Sequence, residues 1–387
     1  MFKFRRKTPV AWYQLTREKT RLAVSLAGIA FADILMFIQL GFKDALYDTS
    51  VRPHYALNAD LFLVNPQFET FFAVKSISRA NLYQATGISG VESVSWLQVD
   101  KGLWRNPTTN TDRPILVFGI DPANSAFRAN DITQHLDQLK MLDRVVFDQA
   151  GRPEYGAIAS LFAQSPFLET EMNGSLIQVA GVFTMGASFV ADGNVITSDS
   201  TFMQLFPNRH PDAIDVGLIR LQPGADREQV QAAIAARLPP DVDVLTVESF
   251  AAREKAYWAN ATPIGFVFGL GAVVGFIVGT VIVYQVLYSD VSDHLPEYAT
   301  LKAMGYSDRY LIGVLIQESI ILAVLGFMPG FGLSLGLYQI AQVATRLPIG
   351  MTLLRAVTVL ILTLIMCIAS GTVAMNKLRT ADPADIF

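Results

Sequence analysis

The chain has 387 residues, 51% of them hydrophobic and 17% charged, with a mean hydropathy of +0.35. That is too apolar for an ordinary soluble domain and too polar for a chain made only of membrane spans, which predicts a membrane protein with a large extramembrane part. A net charge of −4 without a basic stripe beyond the first residues argues against nucleic acid as a bulk partner, and the single cysteine, Cys367, leaves no disulfide framework and no Cys-based metal site.

The leader, residues 1–21, carries Lys3, Arg5, Arg6, Lys7, Arg17, Lys19 and Arg21 against one acid, Glu18. Thr8 and Pro9 read as N-cap and first helical position, and Trp12, Tyr13 and Leu15 offer an apolar side to a membrane interface. A frayed basic tail is the alternative. Four stretches then reach the roughly 20 apolar residues that a bilayer core requires: Leu22 to Phe42, Ile264 to Tyr288, about Tyr310 to Ile340, and about Leu354 to Met375. The first runs on past the small residues Ala30 and Ala32, so it reads as an uncleaved anchor and not as a signal peptide. The basic leader places the N-terminus in the cytoplasm, and four crossings return the C-terminus to the same side. Lys377 and Arg379 agree with this orientation, whereas Arg346 and Arg355 in the short outer turn weakly oppose it.

Residues 43–263 therefore form one block outside the cytoplasm. "ADLFLVNP" and "VESVSWLQVDKGLW" read as strands, with "SISRANLYQATGISG" helical between them and "RPILVFGIDP" a further strand. "DAIDVGLIRLQPGADREQVQAAIAARLPPDVDVLTV" repeats strand, turn, amphipathic helix and strand. Two halves, 43–126 and 212–250, thus predict one α+β domain closed by distant parts of the chain. Residues 127–211 read as a β-rich insert with turns at Gly151-Arg152-Pro153, Asn173-Gly174 and Asp192-Gly193. Residues 250–263 and Asp44 to Asp48 are either helical stalks or simple linkers.

No catalytic or metal-binding set emerges. His54, His135 and His210 lie far apart without ligand spacing and read as solvated loop or edge residues, while Trp96 and Trp104 read as core or rim. The chain lacks G-x-x-x-x-G-K-[ST], so any ATPase belongs to another subunit and this chain itself is expected to bind no cofactor. Inside the spans, Asp33 lies about 18 Å along a helix from Arg21, and Glu318 about 13 Å from Arg309. Thr280 in the second span is at a depth comparable to Asp33. Charged groups at such depth are functional-site candidates by default, and a protonated Asp33 bonded to a neighbouring helix is the structural alternative. Glu318 is expected to hold helices together. Glycines at small-x-x-x-small spacing, Gly265/Gly269, Gly271/Gly275/Gly279, Gly326/Gly330 and Gly332/Gly336, predict close contact between the second and third spans and a homodimer seam.

Between the second and third spans, residues 289–309, "DHLPEYATLKAMGYSD" places Pro296 and Glu297 at a helix start and Gly305 at its end. A helix of about two turns is not stable alone in water and needs a surface to dock on. "PEYATLKAMGYSDRYLIGVLIQESIILAVLG" resembles the signature of FtsX/MacB-like permeases of ABC exporters, and "NKLRTADPADIF" (residues 376–387 form the tail) and "LTREKTRLAVSLAGIAF" are similar to that family's two ends. The resemblance implies that Glu297, Tyr298, Leu301, Lys302, Ala303, Met304 and Gly305 form a cytoplasmic coupling helix seated in a groove of a separate, dimeric ATPase, which would hold ATP and Mg. Pro296 stands where the family often has a basic residue, which puts an ion pair with the ATPase at that point in doubt. "GIAFADILMFIQLGFKDALYDTSVRPHYALNADLFLV" looks most like the DevC branch of cyanobacterial permeases, implying a membrane-fusion adaptor, a TolC-like outer-membrane channel and lipid or glycolipid cargo. The implied fold is four transmembrane helices with a MacB-like periplasmic domain between the first two, in a bacterial inner membrane. The alternatives are an FtsX-like regulator of a cell-wall hydrolase and a lipoprotein-releasing permease.

Overall fold

The computed structural model describes residues 12, 15, 17, 19–165, 168–189, 191–297, 300 and 304–380. Its contacts divide the chain into two units, one of residues 1–44, 264–342 and 349–387, the other of residues 45–263 and 343–348.

The first unit holds four helices long and apolar enough to cross a membrane. They are α1 (Lys19–Ser50), α10 (Pro263–Asp293), α11 (Asp308–Thr345) and α12 (Leu353–Thr380), numbered with the shorter helices between them. Each runs beyond the apolar stretch read from the sequence. In α1 the extension past Phe42 is polar, and its hydroxyls turn back onto the helix: Thr49 Oγ1 donates to the Ala45 carbonyl at 2.6 Å and Ser50 to that of Tyr47 at 3.0 Å. Such back-bonding lets polar residues continue a helix whose apolar face has ended.

Glycine spacing serves α1. A Cβ added at Gly275 would lie 3.2 Å from Leu35, one at Gly279 2.6 Å from Ala32, and one at Gly326 2.6 Å from Ile29. These neighbours all belong to α1, so the glycines of α10 and α11 bring both helices against the first span. Away from these glycines the second and third spans also meet, where Val291 of α10 packs with Leu311 and Leu315 of α11. Gly269, Gly332 and Gly336 face open space.

The second unit is built on one nine-stranded sheet of order β11-β1-β10-β3-β4-β8-β5-β7-β6. The strands are β1 (Leu61–Val64), β3 (Val91–Arg105), β4 (Asp112–Ile120), β5 (Arg144–Asp148), β6 (Leu168–Met172), β7 (Ser175–Phe183), β8 (Asn194–Ser198), β10 (Val216–Leu221) and β11 (Asp243–Thr246), while β2 (Ile77–Ser78) and β9 (Ala213–Ile214) pair separately. The two halves interleave, since β1 lies between β10 and β11. The insert extends the same sheet through the parallel pair β4 and β8, with short helices among its strands. At Asn173-Gly174 both residues have positive φ, +52° and +77°, and join β6 to β7 by the tight two-residue turn that Asn-Gly favours.

Strand β1 is buried at all four positions. Leu61 and Leu63 enter a core beneath α3 (Arg79–Ala85) and α8 (Arg227–Arg237), whereas Phe62 and Val64 enter the opposite one with Phe68, Phe71 and Phe250. Both faces being covered, the strand reads as an unbroken apolar run. Ser78 caps α3 and Asp226 caps α8 through side-chain oxygens that accept from backbone N–H groups.

Candidate functional site

The segment between α10 and α11 is helical at 295–297 and 300. Thr300 Oγ1 donates to the Pro296 carbonyl at 2.8 Å and the Met304 N–H to that of Thr300 at 3.0 Å, which is helical spacing. Gly305, with φ of +91°, ends it in the left-handed conformation that glycine adopts without penalty. Met304 is 63% exposed and Tyr306 46% exposed, so the segment presents apolar surface directly after the turn. Glu297 lies 3.8 Å from Arg17 of the leader. Of the remaining predicted coupling residues, Tyr298, Leu301, Lys302 and Ala303 lie outside the described residues, as do residues 1–11 of the leader and 381–387 of the tail.

Next to this segment, polar groups gather at one end of the bundle. Arg21 of α1 pairs with Asp293 and lies 3.6 Å from Asp290 at the end of α10. His294 Nδ1 lies 3.0 Å from the Asp290 carbonyl oxygen. Glu318, fully buried, lines a small cavity with Asp290, Arg21 and Ser25. Three helices therefore meet around Glu318.

Asp33 is likewise fully buried, and its Oδ1 accepts from Thr363 Oγ1 of α12 at 2.6 Å. Thr280 is not its partner, because the Thr280 hydroxyl donates to Phe276 of its own helix while its carbonyl accepts from Ser370. Sequence reading passed over Thr363, the signal for it being a hydroxyl among apolar residues of the last span. Gly330 lets α11 reach Asp33, since an added Cβ there would stand 2.9 Å from the Asp33 Cβ. At the opposite end of the bundle, Arg355 of α12 is nearly buried. Its Nε and Nη2 donate to Asp44 Oδ2 at 2.9 and 2.5 Å, and Nη1 to the Gly350 carbonyl at 2.7 Å.

The second unit holds a polar cluster that sequence reading misplaced. His54 was expected on a solvated edge, yet it is fully buried. The short helix α2 (Arg52–Ala56) follows α1 directly and turns the imidazole between Phe71 and Phe250, with ring centroids 4.6 and 4.4 Å away. Its Nε2 lies 3.7 Å from Oε2 of Glu254, also fully buried, on α9 (Val247–Ala256). Glu254 accepts from Thr70 Oγ1 at 2.6 Å, Trp258 Nε1 at 2.8 Å and the Phe71 N–H at 3.3 Å. Burial pushes the His54 imidazole down to about 3 and the Glu254 carboxyl up to about 7, so both tend to neutrality. Trp258 sits in a π-helical turn, Tyr257–Ala261, and Thr262 is extended before α10 begins at Pro263. The chain from α1 and the chain to α10 thus meet at one buried node within the second unit. Trp96 and Trp104 are core residues, whereas His210 is exposed and His135 intermediate.

Residues 266–383 match the family described as FtsX-like permease C-terminal, a stretch that takes in most of α10 and all of α11 and α12 together with the segment around Met304. No curated protein matches the chain. Among solved structures it is similar to the periplasmic region of MacB from Actinobacillus actinomycetemcomitans, at 11% identity, a TM-score of 0.36, and coverage of 51% of this chain and 94% of that one. It is also similar to the extracellular domain of the ABC-type transporter YknZ from Gram-positive bacteria, at 13% identity, a TM-score of 0.33, and coverage of 49% of this chain and 99% of that one.

Proposed function

We propose that this chain is the permease subunit of an ATP-driven ABC exporter of the FtsX/MacB-like type, working with a separate ATPase dimer that holds ATP and Mg. The observation that carries the reading is the family match over residues 266–383, which includes the short segment between two spans that ends at Gly305 with Met304 exposed beside it. An exposed methionine on a helix too short to stand alone is suited to a hydrophobic groove of a partner. In this mechanism closure of the ATPase pushes the segment around Leu301 to Met304, and the bundle passes the shift to the extramembrane unit. The chain moves force and carries no catalytic group of its own. The working partners on the far side are an adaptor and an outer-membrane channel, the cargo is lipid or glycolipid of the envelope, the membrane is the bacterial inner membrane, and the chain acts as a homodimer.

The test is co-purification from the native membrane followed by ATPase assay. The wild-type chain should bring down an ABC ATPase subunit and change its turnover, whereas the double variant Leu301→Ala, Met304→Ala should insert normally and lose that association by at least about tenfold, equivalent to about 1.4 kcal/mol. Undiminished association would remove the coupling role from this segment. Capture of a cell-wall hydrolase in place of an adaptor would turn the reading toward regulation.

A further inference from the structure

His54 and Glu254 are a base and an acid that the fold buries together inside the second unit, where the chain following α1 meets the chain leading to α10. Their surroundings leave little room for a charge. His54 lies between two phenylalanine rings, and the donors aimed at Glu254 are a hydroxyl, an indole N–H and a backbone N–H. Of the charged side chains on the flanking elements, Arg52 donates to the Met185 carbonyl at 2.7 Å, Arg253 to Asp243 at 2.6 Å, and Glu248 lies 3.5 Å from Arg227, while Glu69 is exposed and Lys255 half-buried.

We propose that His54 and Glu254 act as a compensating pair, which holds one proton whether the junction is closed or open, so that the strength of the junction does not change as the surrounding medium acidifies. In the open, solvated junction at mildly acidic pH the proton is on the imidazole and the carboxylate is charged. On closure it passes to the carboxyl, leaving two neutral groups 3.7 Å apart. No proton is taken up or released, and closure is therefore independent of pH.

The two contributions have opposite signs when taken singly. A carboxyl raised from its usual value to about 7 favours the closed form at low pH, and that contribution is lost as pH rises from about 4.5 to 7. An imidazole lowered to about 3 favours the closed form at high pH, and its contribution is lost as pH falls below about 6.5. Between pH 5 and 6.5 the slopes cancel, about one power of ten per pH unit in each direction.

Hydrogen exchange of the full chain in lipid nanodiscs, followed in peptides covering 66–75 and 247–262 and corrected for the intrinsic chemical rate, reads this directly. In the wild type, opening should change less than about twofold between pH 5 and 6.5. In His54→Gln opening should rise on the order of tenfold over that interval, and in Glu254→Gln it should fall on the order of tenfold. The double variant should be flat again. A wild-type slope steeper than threefold, or single variants that shift protection equally at both pH values, would overturn the proposal. A steep wild-type slope overturns the proposal even where a variant does not fold, and one folded single variant with the expected slope beside a flat wild type supports it.

Discussion

Arg355 counts against the expected orientation when read as a bare charge, and the structure shows what becomes of that charge. Two arms of the guanidinium close on one oxygen of Asp44, and the third donates to the Gly350 carbonyl. Neutralised in this way, the residue is a strut between α1 and α12 and carries little weight as a topological signal. A lysine cannot reproduce the fork. Arg355→Lys should therefore lower stability by about 1–3 kcal/mol in a thermal unfolding series in detergent, and Asp44→Asn by less, because Asp44 is half exposed. Unfolding of Arg355→Lys at the wild-type temperature would show that the fork bears no load. Asp33 and Glu318 were legible in the sequence because charge inside an apolar run is costly wherever it points. Their partners were not, since which helix faces Asp33 is a property of packing, and His54 looked like any solitary histidine until α2 turned it between two phenylalanines.

Helix number and placement were legible from apolar length, but helix ends were not. Residues 43–50 carry Lys43, Asp44, Asp48, Thr49 and Ser50, which hydropathy reads as the end of a span, although Thr49 and Ser50 bond back to their own helix. The glycine pattern was silent about the partner helix, and its members Gly269, Gly332 and Gly336 face open space. This distinction is testable within α11. An added Cβ at Gly330 would meet the Ala30 backbone at 3.2 Å, whereas Gly332, two residues on, faces open space. Gly330→Ala should thus destabilise the bundle by roughly 1–3 kcal/mol through overpacking, while Gly332→Ala should be neutral or stabilising by up to about 1 kcal/mol through helix propensity. Equal effects of the two substitutions in thermal unfolding would contradict the seating of α11 on α1.

At the scale of the whole chain, the sheet order was beyond sequence reading, because β1 finds both neighbours more than a hundred residues away and alternation along a strand fixes its faces but not its partners. Contacts inside the first unit bring the ends of its helices together. Arg17 and Arg21, before the first span, lie beside Glu297, Asp290 and Asp293, at and beyond the end of the second. Asp44, after the first span, meets Arg355, before the fourth. The topology expected from the basic leader puts residue 304 on the leader's side of the bilayer and residue 176 on the other. Met304 and Leu176 are 63% and 60% exposed and so suit cysteine reporters, while Cys367 is buried and can be replaced by alanine to clear the background. With a membrane-impermeant maleimide, Met304→Cys should label only in inverted vesicles and Leu176→Cys only in right-side-out ones. Labelling of both from one side would mean that α10 does not cross, and a segment ending at Gly305 would then be unable to carry a push from one face of the membrane to the other.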